Sequence, residues 1–346
     1  MSDLSHKGGT GEEEERQETG VEEMSVLTVL DLFCGCGGFS HGLGQAGLEV
    51  ILGIDVWDRA IESYKENMDS IRHDSVCADL TQLGPQECDE RYLKGKTVDV
   101  LVGGPPCQSF SMAGRRDKSD PRNTLFREFV RYLDYYQPRA FLMENVMGIL
   151  SKRTETGEKV IDVILGELGR RYSCRVNKLN AADFGVPQAR KRVVVVGIRL
   201  DLGIIPEEIP PVLIVADRTP VGRVLEARET VGPAYYLSQR ALDGIRRTRE
   251  KNKAKGNGFG AQFIDVEKPC YTIVSTMWKD GYDALVRYSE TEVRRLTVLE
   301  LKRIQTFPDE YVIVGSKKES VIQIGNAVPP LLAYHLGRWL RGVLGF

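Results

Sequence analysis

Val26-Leu27-Thr28-Val29-Leu30-Asp31-Leu32-Phe33 runs straight into Cys34-Gly35-Cys36-Gly37-Gly38, after which Phe39, Leu43 and Ala46 recur at helical spacing. A continuous apolar run closed by glycines predicts a strand buried on both faces, and strand, glycine turn, helix is how a doubly wound α/β sheet opens. Apolar runs at Val50–Ile54, Val98–Val102 and Ala140–Met143 follow, with helical patterns between them that include Leu125–Tyr136. The alternation predicts a mostly parallel sheet. Cys174–Leu179 and Arg192–Ile198 add two more strands. Beyond Ile198, Pro206, Pro210, Pro211, Pro220 and Pro233 predict irregular structure, with short strand-like pieces at Tyr271–Val274 and Ala284–Tyr288. Thr297 and Glu300 stand at capping-box spacing for a helix that stops before Pro308, and a last helix is expected over Pro330–Leu344. The expected division is a tail (1–24), a main α/β domain (25–198), a smaller second domain (199–293) and a return segment completing the first (294–346).

The 346 residues are 42% hydrophobic and 28% charged, which is ordinary globular usage. No run approaches the roughly 20 apolar residues of a membrane helix, and the acidic start lacks a signal peptide's order, so an intracellular, cytoplasmic chain is expected. Seven cysteines without a Cys-x-x-Cys pair argue against a disulfide scaffold and against a metal site. The net charge of −2 conceals an asymmetry: residues 1–24 hold eight acids against Lys7 and Arg16, leaving a mildly basic body. The tail is expected to be disordered. Seven cations crowd the stretch 239–256, which reads either as a solvated helix face or as a phosphate-binding surface.

Ligands of open parallel sheets bind beyond the carboxyl ends of the strands. Those ends carry Asp31 with the glycine loop, Asp55, Asp79-Leu80, Gly103-Gly104-Pro105-Pro106-Cys107 and Glu144-Asn145-Val146. Ser40 stands where a dinucleotide fingerprint needs its third glycine, and no Walker lysine is present, so an adenosyl ligand without phosphates is favoured. An acid ending the second strand suits a ribose diol, and Asp79 an exocyclic amine. Cys107 follows two stiffening prolines at this rim, and none of His6, His41, His73 and His335 ends a strand. A cysteine nucleophile without a histidine base points to attack on an electrophilic carbon activated by a nearby acid, for which Glu144 is placed.

The stretches Asp31–Gly38, Gly104–Ser111, Glu144–Val146, Gln188–Arg192, Arg294–Thr297 with Gln305–Pro308, and Gly325–Val328 resemble, in order, the motif series of the DNA (cytosine-5)-methyltransferases. The resemblance runs from about residue 26 to the C-terminus and lapses only across the variable stretch. It implies a Rossmann-like S-adenosylmethionine-dependent methyltransferase domain with a target recognition domain at 199–293. Cys107 would add to carbon 6 of a flipped-out cytosine and Glu144 would hold ring nitrogen 3 and the exocyclic amine. Arg190 and Arg192 would lie near the base, with Arg192 the one placed for its carbonyl oxygen. For the cofactor the resemblance implies Phe33 against the adenine, with Asp31, Gly35, Gly37 and Gly38 in the loop. It further implies Asp55 on the ribose, Asp79 with Leu80 at the adenine edge, and Asn326 with Ala327 at the methionine end. Leu125 matches a cofactor-contacting position or is plain core. The loop Ser109–Asn123, with Arg115, Arg116, Lys118 and Arg122, resembles the family's mobile loop.

The sequence departs from the family pattern at Asp55, usually glutamate, and at Val56, often a bulky aromatic. The ribose contact tolerates the shorter carboxylate; stacking from position 56 is put in doubt. The expected partners are double-stranded DNA and, in a restriction-modification setting, an endonuclease acting on the same site, with the chain itself a monomer. Two rival readings stand beside this one: transfer-RNA cytosine-5 methylation on the same scaffold, and a non-catalytic DNA-binding regulator.

Overall fold

A computed structural model describes residues 26–68, 74–106, 125–154, 157–254, 261–279, 282 and 284–346. The acidic tail, Cys107 and the loop 109–123 singled out above lie outside the described residues.

The main sheet contains β1 (Thr28–Leu32), β2 (Glu49–Asp55), β3 (Asp74–Cys77), β4 (Val100–Gly103), β5 (Ala140–Val146), β6 (Tyr172–Asn180) and β7 (Lys191–Arg199). Their order is β3-β2-β1-β4-β5-β7-β6; β7 runs antiparallel to both β5 and β6, and the other pairings are parallel. The chain winds outward from β1 to β3 and then crosses to β4, so the strand order reverses between β1 and β4. At such a reversal the flanking loops part and leave a crevice at the carboxyl ends.

The apolar runs are explained by burial on both faces. Leu30, Leu32, Leu101, Phe141 and Met143 enter one core. Their neighbours Val29, Val100, Val102, Ala140 and Leu142 enter the other. Helices α2 (Asp58–Met68), α3 (Pro85–Cys88), α4 (Leu125–Tyr136) and α5 (Val160–Leu168) follow in the crossovers, after α1 (Gly38–Gln45). The second core is completed from the far end of the chain, by Leu332, Ala333, Leu336 and Leu340.

Residues 200–235 form only short 3-10 turns between irregular segments, as the prolines predict. The basic stretch becomes α6 (Gln239–Ala254), whose Leu242 and Ile245 pack on Leu285 of β8 (Leu285–Arg287) and Val293 of β9 (Val293–Arg295). One expectation fails here. Tyr271–Val274 is not a strand: its pairing with Gln188 stops at Cys270, and the Gln188 side-chain Oε1 then takes the Ile273 N–H at 2.8 Å. A side-chain amide supplies what a strand ladder would have.

The return begins with α7 (Val298–Ile304), capped by Thr297 and Glu300 in the expected box, and continues through α8 (Lys317–Asn326) and α9 (Pro330–Leu344). Glu300 is fully buried and carries more than the cap. Its two oxygens accept from Arg294 Nη1 and Nη2 at 2.7 and 2.8 Å, from Thr297 N at 2.9 Å and from Glu226 N at 3.0 Å. Removing one partner of a fully buried pair strands the other charge, at a cost of about 3–5 kcal/mol. Glu300→Ala is therefore expected to lower the urea-unfolding free energy by about that amount. A loss below about 1 kcal/mol, the range of an exposed pair, would contradict this account.

Candidate active site

The loop after β1 is shaped by left-handed residues. Phe33 (φ 60°) is the unusual one, because a side chain resists that conformation by roughly 1–2 kcal/mol. The turn redirects the chain into Gly35 and Gly37 and leaves the Phe33 ring half-buried at the strand end. Gly37 and Gly38 are required by close approach: a Cβ at 37 would lie 2.8 Å from the Tyr311 hydroxyl, and one at 38 only 2.3 Å from the Val328 carbonyl oxygen. At Gly35 the same atom would meet nothing within 4 Å. The motif thus packs its second half against the return segment and leaves its first half open.

Three carboxylates border this opening in different states. Asp31 is buried; Ser40 Oγ donates to its Oδ2 at 2.6 Å, and Tyr64 donates to Ser40 Oγ at 3.0 Å. Among the described residues its Oδ1 has no hydrogen-bond partner. Burial, with a smaller push from Asp55 and against the Ser40 hydrogen bond, lifts the Asp31 carboxyl to about 7. Asp55 accepts from Gly35 N and Trp57 N, both at 2.9 Å, which ties the glycine loop to the end of β2; burial raises its pKa. Asp79 is exposed and accepts from Thr81 N and Oγ1 at 2.9 and 2.8 Å. The Leu80 side chain is buried in the core, so only its backbone is available to a ligand. Val56 is 67% exposed and has no ring to offer. Leu125, half-buried, opens α4. Asn326 is exposed at the end of α8, with Ala327 as its C-cap.

The second half of the rim lies over β4, β5 and β7. Glu144 pairs in register with Val194, which sets Arg192 diagonally opposite on the same face. Arg192 Nε comes within 2.8 Å of Glu144 Oε1, both side chains largely shielded from solvent. The contact is an ion pair without hydrogen-bond geometry, so this oxygen keeps its lone pairs unspent. A Cβ on Gly104 would stand 3.5 Å from Glu144 Oε2, and Asn145 Nδ2 donates to Pro105 O at 3.2 Å. The strand bearing Glu144 therefore holds the Pro105-Pro106 turn that leads to Cys107.

Arg190 is not brought to the rim as the sequence suggested. It is buried, and its terminal nitrogens donate to Ile273 O at 3.0 Å and Gly325 O at 3.2 Å. Its guanidinium is a strut. Burial and the charge of Arg192 lower its pKa, against a smaller pull from Glu144. Gln188 and Gln305, quoted above only as parts of motifs, form the same junction. Gln188 Nε2 donates to Gln305 Oε1 at 2.6 Å, and Gln305 Nε2 donates to Ile324 O and Ala327 O at 2.7 and 3.1 Å. Their one visible signal was an uncharged amide beside residues with core character. Among the described residues no cluster of side chains could hold a metal ion, and no helix is long and apolar enough to cross a membrane.

Residues 27–341 match the family model of the C-5 cytosine-specific DNA methylases. The chain is 36% identical to the Type II methyltransferase M1.HphI of Haemophilus parahaemolyticus, over 89% of this chain and 84% of that protein. With the Type II methyltransferase M.DdeI of Desulfomicrobium norvegicum it shares 32% over 90% and 87%. Its fold superposes on the S. pombe Dnmt2 methyltransferase with a TM-score of 0.72 at 19% identity, covering 92% of this chain and all of that one.

Asp31 gives the site a pH signature. Between an ordinary carboxylate value of 3.8 and about 7 the folded chain keeps a proton that the unfolded chain releases. Its contribution to stability is complete at the acid end and is lost as pH rises toward 7. Asp31→Asn should flatten that part of the curve in urea unfolding followed from pH 5 to 8. A slope identical to wild type would place the titrating group elsewhere.

Proposed function

The chain belongs to the C-5 cytosine-specific DNA methylase family and is a DNA (cytosine-5)-methyltransferase; from that premise we propose how its residues divide the work. The observation that carries the assignment is the Glu144–Arg192 pair, set beside Gly104 and tied through Asn145 to the turn before Cys107. A cytosine seated over this rim would present ring nitrogen 3 and its exocyclic amine to Glu144 and its carbonyl oxygen to Arg192. Cys107, as thiolate, adds to carbon 6. The electron pair displaced from the 5,6 double bond is drawn through the ring as Glu144 supplies a proton to nitrogen 3, and carbon 5 becomes nucleophilic. Carbon 5 is inaccessible in a stacked duplex, so the target base leaves the helix.

The group that fits the other half of the rim is S-adenosylmethionine, which when bound supplies an electrophilic methyl on a sulfonium sulfur. The residues suit it. Open space lies at Gly35, Phe33 offers a half-buried ring, Asp79 an exposed carboxylate and Asn326 an exposed amide. The orphaned Asp31 Oδ1 calls for a hydrogen-bond partner. Asp55 already accepts two backbone N–H groups, but each carboxylate oxygen retains a second lone pair for a ribose hydroxyl. After methylation, loss of the carbon 5 proton and expulsion of Cys107 restore the aromatic ring. Arg190 acts as a positioning residue that fixes the strand carrying Arg192.

The cations of α6 and of the loop 109–123 supply phosphate contacts to a short duplex site. The chain works as a monomer, and an endonuclease cutting the same site is its expected partner.

Labelled methyl transfer to mixed-sequence duplex DNA and, in parallel, to total RNA tests the reading. Carbon 5 methylcytosine in DNA at one short recurring site is expected; label in RNA alone would reassign the substrate. Cys107→Ala should retain cofactor binding and lose turnover, and Glu144→Gln should lower kcat by about 10²–10⁴-fold. Near-wild-type turnover by the cysteine variant would remove the nucleophile assignment.

A further inference from the structure

A second cationic site lies away from the Glu144 rim, on the seam between the 3-10 turn Ser275–Trp278 and the first turn of α8. A cavity of about 260 Å³ opens there, floored by apolar side chains such as Met277 and Val321 and ringed by Lys279, Arg295, Lys317 and Lys318. The four cations come from three separate parts of the chain. Two are held by rings: Lys317 Nζ stands 3.8 Å from the centroid of Tyr235, and Lys318 Nζ 4.3 Å from that of Trp278. A ring face fixes an ammonium head while leaving N–H bonds for an acceptor.

Among the described residues none of the three lysines forms an ion pair. The nearest acid along α8, Glu319, turns its carboxylate back onto Ser316 N and Oγ, both at 2.7 Å. Burial and the charge of Arg295 push the Lys317 ammonium below its ordinary range. Like charges gathered around an open cavity are relieved by an anion. Several separate ammonium groups suit the two free oxygens of a phosphodiester, where a planar carboxylate favours an arginine fork.

The site lies at the opposite end of α8 from Asn326. A rise of 1.5 Å per residue separates the backbones of the two lysines from that of Asn326, which the proposed function places beside the reacting groups, by roughly 12–14 Å along the helix. DNA rises about 3.4 Å per nucleotide, so this corresponds to roughly three to four nucleotides.

We propose that this cavity binds a backbone phosphate of the target DNA, about three to four nucleotides from the reacting cytosine, and so contributes affinity independent of sequence. The inference rests on the DNA reading above and adds a contact to it.

The test compares wild type with Lys317→Gln/Lys318→Gln and Lys317→Arg/Lys318→Arg. Binding to a duplex carrying the methylated site is measured between about 50 and 200 mM salt. The Gln pair should bind more weakly at low salt and lower the slope of log affinity against log salt by about 1. The Arg pair should keep the wild-type slope. Replacing single phosphates by uncharged methylphosphonates should weaken wild-type binding at one position in that range, with no further loss in the Gln pair. A wild-type slope in a Gln pair that still methylates DNA would overturn the phosphate site and leave the function standing. A wild type that transfers methyl to no DNA would overturn the function itself, and the site with it.

Discussion

Three buried side chains hold the molecule together where its parts meet. Gln188 and Arg190, just before β7, reach the segment ending at Ile273; Arg190 also reaches Gly325, and Gln305 reaches the carbonyls of Ile324 and Ala327. Each is a donor or acceptor that would cost about 1–3 kcal/mol if buried without a partner. The junction therefore forms as a unit or fails as one. Backbone contact closes it further, since a Cβ on Gly325 would lie 2.5 Å from Ser275 N. Arg192 is two residues beyond Arg190, and Asn326 one beyond Gly325. The same hydrogen bonds that join the segment around Ile273 to the sheet thus fix Arg192 and Asn326 relative to each other.

That junction also marks where the sequence stops being readable. Period and punctuation report burial and local capping, and both were legible: the strand ends, the capping box of α7 and the span of α9 follow from apolar runs, Thr297 with Glu300, and Pro330. The motif series placed Glu144 and Arg192 on one rim. What the pattern does not encode is the partner a buried polar group takes. Arg192 in β7 and Arg190 just before it are only two residues apart, yet Arg192 faces a carboxylate and Arg190 the backbone carbonyls of Ile273 and Gly325, both far along the chain. Tyr271–Val274 read as a strand for the same reason: its β-rich composition is real, but the edge it meets is the side chain of Gln188.

The carboxyls of the rim show how one fold sets different protonation behaviour at equivalent strand ends. Asp31 is enclosed by the glycine loop and α1, and the hydrogen bond from Ser40 offsets only part of the cost of burial, so desolvation dominates and the acid is held up near 7. A neutral Asp31 also avoids placing two anions in one loop with Asp55, whose charge is spread over two backbone N–H groups. Glu144 ends a strand that has an antiparallel neighbour, and that neighbour delivers a guanidinium. The departure of β7 from the parallel pattern is therefore chemical as well as topological. A parallel strand in its place would bring its opposite end, and not its first residues, to the carboxyl rim.

Closure of the chain completes the sheet layer from its two ends and leaves the stretch between β7 and α7 outside that core. Val29, Val100 and Leu142 of the sheet share one core with Leu332, Leu336 and Leu340 of α9, so the catalytic layer is complete only when the C-terminal helix returns. Residues between β7 and α7 build one small core of their own around Leu242, Leu285 and Val293, and share a second, around Ile273, Met277 and Ile324, with α7 and α8. The second of these contains Ile324 of α8, and so reaches to the residue before Gly325. Side chains that face outward from α6 can change sign or size at little cost to packing. Gln188, Arg190, Ile273 and Gly325 cannot, because each is an attachment point between the sheet, the stretch that follows β7 and α8.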